Sequence, residues 1–166
     1  NRRSKELLCS NEAPIVILRD KKSVKVTINA SGKGLCHTGW FLPYSGLHHM
    51  LFDRSIKTLI MTSANISEEP LQHNNKEAIK SLNKIADFFL LHDRDIEMPA
   101  DDSVIKPCGN FNIILRRSRG FVPVPVTLKF DLPQIIATGS LMKNAFCMTS
   151  GNKAYISQHI GDLDNK

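Results

Sequence analysis

The chain has 166 residues, enough for one medium domain or for a small domain with part of another. Apolar residues make up 42% and charged residues 23%, ordinary for a globular protein, and no apolar run approaches the roughly 20 residues that span a bilayer. The net charge of +6 suits phosphate-bearing partners, whether nucleotide, nucleic acid or substrate, but a merely soluble basic surface would carry it too.

Cys9, Cys36, Cys108 and Cys147 are far apart and form no CxxC, which argues against a zinc site. With no secretory signal they read as reduced thiols of a cytoplasmic protein. The chain opens NRRSKELLCS without an initiator Met and reads as a piece of a longer protein.

In chain order, PIVIL (14–18) reads as a strand and VKVTI (24–28) as a weaker, alternating one. NASGKG (29–34) has loop composition. PYSGLHHMLF (43–52) sets Leu47, Met50 and Leu51 at helical spacing, and TLIMT (58–62) reads as a short buried strand. A helix opens at Asn74, with Glu77 at the capping-box spacing. Ala78, Ile79, Leu82, Ile85 and Ala86 then share one apolar face. FFLL (88–91) reads as a strand and HDRD (92–95) as a turn. SVIK (103–106) and FNIILR (111–116) flank PCGN, a hairpin pattern.

The three prolines of FVPVPVTLKFDLP (121–133) cannot donate to a sheet, so this stretch reads as an extended linker. QIIAT (134–138), NAFCMT (144–149) and KAYIS (153–157) follow as strands, the last two joined by an SGN hairpin turn. The pattern divides into a unit of mixed strands and helices over 1–122, a linker over 123–133, and a second unit over 134–166. Three strands cannot bury a core alone, so the second unit must extend or pack on the first.

Three clusters carry chemistry. The run Leu59–Met61 ends in Thr62-Ser63-Ala64-Asn65, at a strand tip where ligands bind in many α/β folds. Ser63 and Asn65, at i and i+2, point to one side of an extended segment. A hydroxyl and an amide there can hold an anionic oxygen or a nucleotide edge; a turn or helix cap is the alternative. In DDSVIK, Asp101 and Asp102 offer carboxylates to magnesium and Ser103 a hydroxyl to phosphate, or the stretch is only an exposed turn. In LRRSRG, Arg116, Arg117 and Arg119 suit phosphate or carboxylate, with Arg117 and Arg119 on one face if the strand continues. His48-His49 and His92 with Asp93 could serve as metal ligands or general bases, but adjacent histidines on a helix diverge and chelate poorly, and both pairs read as structural.

TSANISEEP (62–70) resembles the TSAN-x-SGEP signature of YrdC-like domains. FLPYSGLHHML, IADFFLLHDRDI, ADDSVIK and ILRRSRGFVPVPV are similar to blocks of one branch, the HypF family of hydrogenase maturation factors. GSLMKNAFCMT and AYISQHIGDLDN resemble the opening of that family's actin-like carbamoyltransferase domain. The resemblance covers nearly the whole chain from Leu7, in one order. It implies an α/β (α+β) fold, a YrdC-like twisted mixed sheet with helices followed by the first strands of an actin-like domain.

It also implies an enzyme that uses ATP, magnesium and carbamoyl phosphate to form carbamoyl-adenylate. Such an enzyme passes the carbamoyl group to the C-terminal Cys of HypE for cyanide synthesis. By the same resemblance Ser63, Asn65, Ser103 and Arg116 bind ATP and the carbamoyl-adenylate, with Asp102 a further candidate. Gly139, Lys143, Asn144, His159 and Asp162 fall where the second domain handles phosphate and the carbamoyl group. The chain departs from the pattern at Glu68, where Gly is usual, at Pro99-Ala100, where Arg and Cys are, and at Gly46, where Pro is. The alternatives are a threonylcarbamoyl-AMP synthase of tRNA modification and a basic RNA-binding module; weak RNA affinity suits any of the three.

Overall fold

The computed structural model describes residues 2–20, 36–67 and 69–164. The strand expected over 24–28 and the loop over 29–34 lie outside the described residues. Helix α1 (Arg2–Leu8) leads into strand β1 (Ile15–Arg19), and β2 (His37–Trp40) follows. The short helix α2 (Gly46–Met50) and helix α3 (Asn75–Leu82) come next, then β3 (Val104–Cys108) and β4 (Phe111–Arg116). Strands β5 (Val126–Leu132), β6 (Ile136–Ala137) and β7 (Cys147–Ile156) complete the chain.

The first sheet has the order β2-β1-β3-β4. β1 is antiparallel to β2 and parallel to β3, and β3 is antiparallel to β4, so the sheet is mixed as expected. Its centre is the β1–β3 pair, where Val16 lies opposite Ile105 and both are buried. Branched aliphatic side chains fit a central strand covered on both faces. The PCGN hairpin forms as expected, with Gly109 at φ 55 in its turn.

Helix α3 begins where the sequence placed it. The Asn74 side chain accepts from the N–H groups of Lys76 and Glu77, which have no partner within the helix. The helix ends at Leu82, so Ile85 and Ala86 lie past it, in a turn closed by their N–H bonds to Leu82 O.

Three expectations are corrected. TLIMT (58–62) and FFLL (88–91) form no ladder among the described residues, and Ile60, Phe88 and Leu90 are exposed. An apolar run becomes a strand only when a neighbour takes its N–H and C=O groups, and neither run has one among the described residues. The second half of the proline-rich stretch is no linker: residues 126–132 are β5, paired to β7. Pro123 and Pro125 precede that strand and Pro133 follows it, so no proline interrupts the ladder.

The second sheet has the order β5-β7-β6. β7 is continuous from Cys147 to Ile156, yet its flanks meet, because Ser157 N–H donates to Phe146 O at 2.9 Å. A straight strand of this length would hold them roughly 30 Å apart. The chain therefore doubles back at the SGN turn, where Gly151 has φ 57. The half of β7 before that turn pairs with β6 and the half after it with β5. Segments flanking the two sheets also touch: His159 N–H donates to Arg117 O at 3.0 Å and Gln158 Nε2 to Pro99 O at 3.2 Å.

Candidate active site

The TSAN segment is an exposed loop tied to itself. Ser63 Oγ donates to Asn65 Oδ1, and Asn65 Nδ2 donates to Ile66 O at 3.0 Å and Glu69 O at 2.9 Å. Gln72 N–H closes the far side on Ala64 O at 2.9 Å. The two side chains do point the same way, and they also shape the turn. Ser63 is exposed, so its hydroxyl oxygen keeps acceptor capacity for a ligand.

Ser103 is fully buried at the start of β3. Its hydroxyl donates to Arg119 O and accepts from Ser118 N–H, both at 2.8 Å. It clasps the start of β3 to the turn after β4. Arg116, the last residue of β4, projects half-exposed and pairs with Asp101 at 3.4 Å. Asp102 instead pairs with Arg119 at 2.8 Å and accepts from Tyr44 Oη at 3.3 Å. Each of the two carboxylates therefore faces a guanidinium. The pair does not fit a resident magnesium site, and among the described residues no three His, Cys, Asp or Glu side chains gather elsewhere.

Because β4 ends at Arg116, strand alternation does not extend to Arg117 and Arg119. Arg117 turns toward the second sheet, donating to Val124 O with its guanidinium 6.0 Å from the Phe121 ring centre. Burial pulls its pKa down from the ordinary value. Arg119 turns the other way, its guanidinium 3.6 Å from the Tyr44 ring centre. Burial first, and then the Asp102 charge, push the Tyr44 pKa up. Tyr44 was not singled out in the sequence. Its only signal there was membership of the FLPYSGLHHML block, which resembles the family's.

In the second sheet, Gly139 (φ 78) lies against Ala145 O, where a Cβ would sit 2.3 Å away. Asn144 is buried and donates from Nδ2 to Thr138 O at 3.0 Å and to Ser140 O. Lys143 (φ 51) gives its N–H to Asp162 Oδ1 at 2.6 Å, and Asn144 N–H bonds Gly161 O at 2.8 Å. Gly139, Lys143, Asn144 and Asp162 thus form one braced loop pair. His159 sits at its border with the first sheet.

A separate cleft of about 620 Å³ is lined by His37–Pro43, His48, Leu51, Phe52 and Lys57–Met61. It stops two residues short of Ser63. None of the candidate side chains lines it. Among the described residues, the TSAN loop makes no hydrogen bond to Ser103 or Arg116.

A mixed sheet with a TSAN loop and an Arg-terminated strand is the YrdC-like arrangement, and the chain belongs to the Sua5/YciO/YrdC family, whose model, described as telomere recombination, matches residues 2–118. Its branch is that of the HypF carbamoyltransferases: a second model, the HypF Kae1-like domain, matches residues 131–166. The carbamoyltransferase HypF of Rhizobium leguminosarum bv. viciae is 41% identical over 99% of this chain and 22% of its own length. That of Synechocystis sp. is 40% identical over 96% and 21%. The crystal structure of full-length HypF in the phosphate- and nucleotide-bound form superposes with a TM-score of 0.85 at 41% identity, covering 100% of this chain and 26% of that one. The chain thus spans about a fifth of the length of the curated relatives it matches.

Proposed function

We propose that this chain is the adenylating part, with the start of the transfer domain, of a HypF-type carbamoyltransferase that matures nickel–iron hydrogenase in the cytoplasm. The observation that carries the reading is the order of the two family matches on one chain, with the two segments in contact through His159 N–H and Arg117 O. A stand-alone threonylcarbamoyl-AMP synthase has no use for the second segment. The nucleotide-bound state of the superposed HypF structure supports ATP as the substrate.

Carbamate, released from carbamoyl phosphate elsewhere in the parent protein, attacks the α-phosphorus of ATP. The bond from that phosphorus to the bridging oxygen breaks, and pyrophosphate leaves. The product is carbamoyl-adenylate. The thiolate of the C-terminal Cys of HypE then attacks its carbonyl carbon and AMP departs. Charge builds on phosphate oxygens in the first step, so preorganised donors stabilise it most. Ser63 and Asn65 bind the nucleotide and carbamoyl end, Arg116 meets phosphate charge, and Ser103 and Asp102 shape the floor beneath. Magnesium arrives with its substrate, as MgATP. Gly139, Lys143, Asn144, His159 and Asp162 belong to the receiving site for transfer. The basic surface lends weak RNA affinity that salt removes.

The test uses the full-length parent. Exchange of pyrophosphate into ATP should require carbamoyl phosphate and fall about 100-fold or more in Ser63→Ala/Asn65→Ala, as loss of preorganised donors does elsewhere. Turnover with threonine and bicarbonate, but none with carbamoyl phosphate, would move the protein to tRNA modification. Tight salt-sensitive RNA binding with no nucleotide turnover would leave only the binding module.

A further inference from the structure

We infer that Arg119 is a positioning residue for the adenylation site, acting on Arg116 through a clasp that it forms with Tyr44, Asp102 and Ser103. The inference rests on the function proposed above for its catalytic part and on geometry alone for the clasp.

Arg119 joins four separate segments. Nε donates to Asp102 Oδ1 at 2.8 Å, Nη2 to Ala13 O at 2.9 Å and Nη1 to Glu12 O at 3.4 Å. The guanidinium face lies on the Tyr44 ring, whose hydroxyl donates to the same Asp102 oxygen. The main chain of Arg119 is engaged as well. Its N–H bonds Asp101 O at 3.2 Å, and its carbonyl accepts from Ser103 Oγ. Gly120 completes the packing: at φ 90, a Cβ there would lie 2.3 Å from Glu12 O. The Glu12–Ala13 turn is pressed onto this spot, and Ala13 holds a φ of 42, rare for a residue with a side chain.

The clasp adjoins Arg116. Ser103 Oγ ties Arg119 to Ser118, two residues beyond Arg116, and Asp101, which accepts from Arg119 N–H, is the ion-pair partner of Arg116. The direction of the Arg116 side chain therefore depends on where Arg119 is held. Only a planar fork with several donors serves all these partners; a lysine has one nitrogen and no flat face. Three of the five N–H donors of Arg119 and its flat face are spent on the clasp, so its loss should change alignment in the transition state and leave nucleotide binding nearly alone.

The experiment compares full-length parent protein with its Arg119→Lys, Tyr44→Leu and Tyr44→Phe variants. Hydrogen exchange of the Ser118 amide, whose N–H is held by Ser103 Oγ, reads the clasp without any substrate. In Arg119→Lys and Tyr44→Leu it should quicken about tenfold or more while amides of the β1–β3 centre and the melting temperature hold. Tyr44→Phe keeps the ring and should leave it unchanged. The kcat of carbamoyl-phosphate-dependent exchange should fall about tenfold in Arg119→Lys with KM for ATP within about twofold. Ser118 protection unchanged in Arg119→Lys overturns the clasp. Loss of protection throughout the sheet, with activity tracking the melting temperature, overturns positioning in favour of plain stability. A wild-type parent with no exchange removes the adenylation reading and with it the catalytic half of the inference; the Ser118 amide then still decides the clasp.

Discussion

Tyr44 shows how one side chain carries information that no local stretch of sequence holds. Its ring supports Arg119 and its hydroxyl donates to Asp102. Desolvation and the neighbouring carboxylate both favour the neutral phenol, so the folded-state pKa lies above the ordinary 10.0. The sign follows by linkage: the stabilisation is complete below the unfolded value and is lost as pH rises through the folded one. In an alkaline absorbance titration, the tyrosinate step that disappears in Tyr44→Phe should lie above 10.0. A step at or below that value would mean that the phenol does not face Asp102. The nearness of Ser63 and Asn65 was legible in the sequence because residues at i and i+2 are never far apart, although a bend rather than an extended run brings their side chains together. The Tyr44–Arg119 pair was not, because nothing local dictates that two distant segments meet. Arg117 and Arg119 were placed on one face by alternation, a rule that stops where the ladder stops, at Arg116.

Elements were legible where local rules suffice. The β3–β4 hairpin is written in PCGN, with Gly109 at positive φ, and the start of α3 in Asn74. That cap yields a direct prediction. Asn74→Ala leaves the Lys76 and Glu77 N–H groups without the side-chain acceptor and should cost about 1 kcal/mol; Asn74→Gly should cost only a few tenths. Denaturant unfolding of the parent, read by a probe on α3, checks both. Equal losses in the two variants would show that the cap is not what holds the helix start. Runs 58–62 and 88–91 misled because apolar content reports burial in the finished protein, while a strand needs a partner for its backbone. β5 misled for the opposite reason. Its flanking prolines are good stop signals, and they were read as describing the strand between them.

At the scale of the molecule, the described residues bury little and expose much. The buried hydrophobic centre is Val16, Ile105 and Ala154, whereas Phe88 is 93% and Leu90 73% exposed. β4 at the edge of its sheet shows Phe111, Ile113, Ile114 and Leu115 to solvent. Single exposed apolar residues are common, but a contiguous display around an open sheet edge marks surface meant to be covered. The chain spans about a fifth of its HypF relatives, and the run that ends in TSAN has no ladder neighbour among the described residues. A site loop without such support is not held to the tolerance that catalysis needs. The 166-residue chain by itself should therefore give no carbamoyl-phosphate-dependent ATP–pyrophosphate exchange and should self-associate with rising concentration. Sedimentation velocity across a dilution series, run beside the exchange assay, tests both. Phe88→Ser/Leu90→Ser should keep more of the short chain monomeric, and in the full-length parent the same change should lower stability instead, because there the apolar run has cover to lose. A short chain that is monomeric and turns over ATP with carbamoyl phosphate would show that these faces and the TSAN loop need no further support.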